Sequence, residues 1–173
     1  LIAPDLRGHG DSAWAIGSSY SSLDYVYDIH QLVEQADLDR VHVVGHSLGG
    51  MIACLYAGLF PEKVLSLTSI EGVGAFWQEM RERDKPTTRI REWFDQAKTM
   101  AGRIPRRYAS LEAAFERMRE SNPHLSIEHS EHLTIHGSYR NEDGSYAWKF
   151  DPYTYGWPPA GLPFNCLLYT SPS

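Results

Sequence analysis

The pentapeptide Gly45-His46-Ser47-Leu48-Gly49 has the residue types of a serine nucleophile held on a sharp turn. Glycine at either end lets neighbouring backbone come close, and a hydroxyl raised at such a turn can attack a carbonyl carbon. A helix starting at Leu48 would aim its free N–H groups and the positive end of its dipole at the developing oxyanion, with the Leu48 N–H as one donor. A serine hydroxyl is a weak nucleophile until a histidine takes its proton and an acid orients that histidine. His46 adjoins Ser47, but neighbouring side chains on a turn point different ways, so it reads as a lining residue and not as the base. His129, His132 and His136 recur at i, i+3 and i+7 beside Glu128, which invites a metal reading. With no cysteine nearby and no second compact ligand cluster, the expectation is a polar helix face, no metal and no cofactor.

The elements that must position the turn flank it directly. Val41 to Gly45 is a short β-branched run that fits a strand buried on both faces. Leu48 to Leu59, rich in small and apolar residues and stopped by Pro61, reads as a helix packed closely on a sheet. Val64 to Ile70 reads as the next strand. Upstream, residues 1 to 12 look like the tail of a buried strand entering a loop where Gly8 and Gly10 permit unusual backbone angles, and residues 23 to 36 carry apolar side chains at helical spacing. Strand and helix in strict alternation imply parallel pairing and the α/β class. Beyond Gly72 the alternation stops. Helical stretches are expected near 75 to 84, 87 to 101, 110 to 120 and 126 to 136, then a hairpin turning at Asp143-Gly144.

Composition narrows the function classes. The 173 residues are 42% hydrophobic with a net charge of −6, enough apolar material for a core and no sign of disorder. No apolar run nears the roughly 18 residues of a membrane span, and the start is not a secretory signal. Residues 81 to 107 hold nine basic and four acidic side chains; because the signs are interleaved, a solvated helix face is expected and no nucleic-acid binding. Cys54 and Cys166 stand far apart, so a reducing, intracellular, cytoplasmic setting is the default, with a targeting signal beyond the chain left open.

The turn GHSLGG at 45 to 50 and the loop DLRGHGDS at 5 to 12 resemble the α/β-hydrolase superfamily, and residues 121 to 153 are similar to the cap region of its serine hydrolase-like branch. The resemblance implies a partial α/β-hydrolase fold: residues 1–72 as the central part of the core, 73–157 as a helical cap roofing the site, and 158–173 as an irregular tail. His9, in the RGHG loop, would lie near the mouth of the site in a structural role, and Glu71, ending what would be the sixth strand, where some members place their acid, is the alternative acid, weighed against a plain capping or ion-pairing role. In that superfamily the acid and the histidine follow the serine on later strands, and the second oxyanion donor precedes Leu1, so the chain is expected to be a piece of a longer protein. The tail NCLLYTSPS at 165–173 is expected to be non-native.

The implied activity is cleavage of a small apolar ester, with thioester or amide as second choice, through an acyl-Ser47 intermediate. Aspartate-nucleophile relatives are disfavoured because position 47 is serine. The competing class is a non-catalytic scaffold holding a small apolar ligand beneath the cap. Aromatic residues of the cap, among them Trp77, Trp93, Phe94, Tyr108 and Trp148, suit either an apolar pocket or simple packing. Without its base the chain alone is expected to be inactive, since that loss costs about 10⁶ in turnover, and poorly soluble because parallel strand edges lie open.

Overall fold

The computed structural model describes residues 1–15, 20–71 and 86–156. The helix expected near 75 to 84, Trp77 and the tail from 157 onward lie outside the described residues. Contacts gather the chain into two compact units, one of Leu1–Gly17 with Met100–Tyr155 and one of Ser18–Thr99 with Gly156–Ser173.

The second unit carries the serine turn. Helix α1 (Ser22–Gln35) starts in a capping box: the Ser21 hydroxyl accepts from the Asp24 N–H, and the Asp24 carboxylate accepts from the Ser21 N–H. That exchange satisfies two N–H groups that a helix start leaves open. Strand β1 (Val41–His46), helix α2 (Leu48–Leu59) and strand β2 (Val64–Ile70) follow. The two strands pair in parallel with His42 opposite Ser66 and His46 opposite Ile70. Helix α2 packs on both strands and α1 packs on α2, and the core between them holds Tyr25, Val26, Val33, Ile52, Ala53 and Tyr56. Such burial of apolar side chains, about 1.5–3 kcal/mol each, holds the layer together.

Two expectations for this region are corrected. Residues 1–6 form no strand and Leu1 to Asp5 are exposed. Strand β1 is not buried on both faces: its pattern alternates, and Val44 is 67% exposed. On β2, Leu65, Leu67 and Ile70 are exposed as well. A single helical layer covers this two-stranded pair, so a run whose composition suits double burial meets cover on one face only among the described residues. Helix α3 (Pro86–Met100) belongs to this unit through Thr99; Arg91, Glu92, Asp95 and Lys98 are all exposed on it, with Lys98 paired to Asp95.

The first unit is built from the 5–12 loop, helices α4 (Leu111–Ser121) and α5 (Ile127–Gly137), and the hairpin of β3 (Ser138–Arg140) and β4 (Tyr146–Trp148). Ser110 and Ser126 cap the two helices through the N–H groups of Ala113 and His129. The buried face of α5 is a ladder of hydroxyls: Ser130 donates to the Ser126 carbonyl, Thr134 to that of Ser130, and Ser138 to that of Thr134. These bonds let three polar side chains be buried without an unmet partner. The hairpin turns at Gly144, φ 86°, as its Asp-Gly sequence leads one to expect. Asp143 accepts from both the hydroxyl and the N–H of Ser145, and Arg107 pairs with it. Trp148 donates to the Tyr108 hydroxyl at 3.1 Å.

The 5–12 loop is tied into this unit. The Asp5 carboxylate accepts from the Asp11 N–H, the Ser12 hydroxyl donates to the Asp5 carbonyl, and a Cβ at Gly10, φ 56°, would strike the Asp5 carboxylate. Outward, the Asp151 N–H donates to the Gly8 carbonyl, Lys149 pairs with Asp11 at 2.7 Å, and His9 bridges to Phe150. The two tight glycines are what the loop's sequence demanded.

Candidate active site

Strand β1 delivers the chain to Ser47 and α2 begins one residue later, so the turn has no slack. Ser47 sits at φ 51°, ψ −113°, a region that a residue with a side chain enters only under strain. Its N–H donates to the Ile70 carbonyl at 3.0 Å and its carbonyl accepts from the Met51 N–H, so both strand and helix grip it. The Ser47 side chain makes no capping bond to α2, and the residue is exposed. The hydroxyl thus stands uncommitted to the helix at the start of 12-residue α2, where unpaired N–H groups favour negative charge.

The close approach expected from Gly45 is present: a Cβ there would collide with the carbonyl group of Gly49. At Gly49 itself a Cβ would meet, among the described residues, nothing within 4 Å beyond its chain neighbours and its own helix backbone; it is the Gly49 carbonyl that comes close to Gly45. The crowded partner is Gly50, buried, where a Cβ would strike the Glu71 carbonyl and lie 2.6 Å from the Ser69 hydroxyl. The turn motif specifies positions 45 and 49 only; the signal for position 50 is the doubled glycine of GHSLGG. Leu48 is half-buried as the first residue of α2, and its N–H belongs to the first turn.

Glu71 follows β2 at φ 54°, and its carboxylate lies 3.8 Å from Nε2 of His46, both side chains largely exposed. The structure thus brings His46 and Glu71 together across the ends of the paired strands. An exposed pair at that distance contributes little to stability. The other histidines of this unit have different neighbours: His42 Nδ1 lies 2.7 Å from the Ser66 hydroxyl, and His30 stacks on Phe60 with ring centres 4.1 Å apart. Among the described residues no group of three or more His, Cys, Asp or Glu side chains is placed to hold a metal, and no helix is long and apolar enough to cross a membrane.

The sequence profile of the α/β hydrolase fold matches residues 1–153. A serine hydrolase-like protein of Danio rerio is 30% identical over 155 residues, covering 87% of this chain and 46% of that protein. The human serine hydrolase-like protein 2 is 29% identical over 156 residues, 85% and 49% of the two chains. Among solved structures, a hypothetical protein from Pseudomonas aeruginosa PAO1 superposes with a TM-score of 0.69 at 30% identity, covering 87% of this chain and 52% of that one. An esterase of Mycobacterium tuberculosis is 26% identical over 153 residues. The chain spans about half the length of the curated relatives it matches.

Proposed function

This chain belongs to the α/β-hydrolase fold family, in its serine hydrolase-like branch, and on that premise we propose that Ser47 is the nucleophile of a serine hydrolase of which these residues are part. The observation that carries the reading is the strained, exposed Ser47, its hydroxyl unused by α2. The hydroxyl oxygen attacks the carbonyl carbon of a small apolar ester, its proton passing to a histidine base. The tetrahedral oxyanion takes a hydrogen bond from the Leu48 N–H, the alcohol departs with the proton, and water releases the acyl group.

The base and its acid are proposed to come from the part of the whole protein that this chain does not span, because His30 stacks on Phe60, His42 lies against the Ser66 hydroxyl, and among the described residues no hydrogen bond joins His46 to the Ser47 hydroxyl. Glu71 serves the His46 pair in this reading. Residues 73–157 act as the cap that selects substrate by shape and excludes water. Labelling the whole protein with a fluorophosphonate tests the proposal: a single adduct on Ser47, absent in Ser47→Ala, is expected. A folded whole protein that takes no label at Ser47 overturns it and leaves a scaffold that binds a small apolar ligand without turning it over.

A further inference from the structure

Helix α5 presents two histidines one turn apart, and we propose that His132 and His136 form a chelate for a borderline divalent transition-metal ion, with copper(II) preferred over nickel(II) and zinc(II). Positions i and i+4 share a helix face, and here the two imidazoles stand with ring centres 4.4 Å apart at 48°, both residues exposed. The opposite face of the same helix is held inward by Ser130 and Thr134, buried and hydrogen-bonded to the preceding turns. The backbone beneath the histidines is therefore fixed, and an ion bound by one ring meets the second at high effective concentration. His129, although a turn from His132, has no ring contact with either histidine among those the structure describes.

Neutral imidazole nitrogens donate lone pairs to copper, nickel and zinc, whereas magnesium and calcium require oxygen ligands. No third protein ligand completes the set among the described residues, so water fills the remaining positions and the ion exchanges freely. The expected preference follows the general order in which copper(II) binds nitrogen sites most strongly.

The test is titration of the whole protein of which these residues are part, its folding checked by circular dichroism, with copper(II) at neutral pH, followed by electron paramagnetic resonance. One tight equivalent with hyperfine structure from two nitrogens is expected, and magnesium should not displace it. His132→Ala and His136→Ala should each weaken binding by about tenfold or more, and His129→Ala by less than about twofold. The comparison controls for histidine content, since all three variants remove one imidazole. Equal losses in all three variants, as from binding to any histidine of an unfolded chain, would overturn the chelate. So would the absence of a two-nitrogen signal.

Discussion

Among the described residues, three non-glycine residues with positive φ, Asp37, Ser47 and Glu71, fall in the unit that carries the serine turn, whereas four positive-φ glycines, Gly8, Gly10, Gly102 and Gly144, fall in the other. In the unit with α4, α5 and the hairpin, the left-handed positions are occupied by the residue that adopts them without steric cost. In the unit with β1, α2 and β2, side-chain-bearing residues are forced into that region, at about 1–3 kcal/mol each. Two of the three bracket the end of the paired strands where the candidate nucleophile stands. The third, Asp37, lies in the turn between α1 and β1, so a strained backbone marks the end of the strands without being confined to it.

The largest effect expected from breaking this contrast is at Ser47. In the whole protein Ser47→Ala should remove fluorophosphonate labelling and lower ester turnover by about 10⁶, read by steady-state kinetics, because nucleophile and base act as a unit. The 173-residue chain, tested alone on the same ester, should resemble that variant.

Next in size are the glycines around the turn. Gly45→Ala should destabilise by about 1–3 kcal/mol in urea unfolding, since its Cβ must displace the Gly49 carbonyl. Gly49→Ala should instead stabilise by about 0.5–1 kcal/mol, as a helical glycine with open space beside it. A penalty at Gly49 equal to that at Gly45 would break the geometry described.

A smaller, reciprocal pair tests the distribution of strain itself. Gly144→Ala should cost about 1 kcal/mol, although the nearest atom to its Cβ, on Arg140, is 3.6 Å away, because φ alone penalises it. Glu71→Gly should gain about 0.5 kcal/mol, relief of strain exceeding the added chain entropy.

The smallest effect is electrostatic and confined to the hairpin. Hydrogen bonds from the Ser145 hydroxyl and N–H, with Arg107 adding to them, hold the Asp143 carboxyl below the ordinary aspartate value of 3.8. A depressed folded value means that the contribution is fully present above 3.8 and is lost as pH falls through the lower folded value. Thermal midpoints of Asp143→Asn should therefore lie below wild type at neutral pH and converge with it in acid.

The sequence made helices α1 to α5 and strands β1 and β2 legible because each has a clear period, a capping serine or a stopping proline. Pro61 ends α2, and Ser21, Ser110 and Ser126 start their helices. What was not legible is which faces are covered. Val41 to Val44 has the composition of a doubly buried strand, yet composition reports what a face would tolerate and not what lies against it. The strand expected at the start of the chain fails for a related reason, since a strand exists only when a neighbour pairs with it, and Leu1 to Leu6 have none among the described residues. At the site, the glycine at 45 was readable from the motif, while the crowding at 50 depends on where the chain returns after β2. The His46–Glu71 approach depends on the same register.

Helix α5 ends at Gly137 and β3 begins at Ser138, with no linking residue between them. The rotational phase of the helix and the pleat of the strand are therefore geared to one another. Each residue advances a helix by about 100° but a strand by half a pleat repeat. Inserting one residue at this junction would turn the exposed histidine face by more than a quarter turn or send Tyr139 to the other side of the hairpin. Length at this point is thus a coordinate of the fold as binding as any side chain, and substitutions will be tolerated there more readily than insertions.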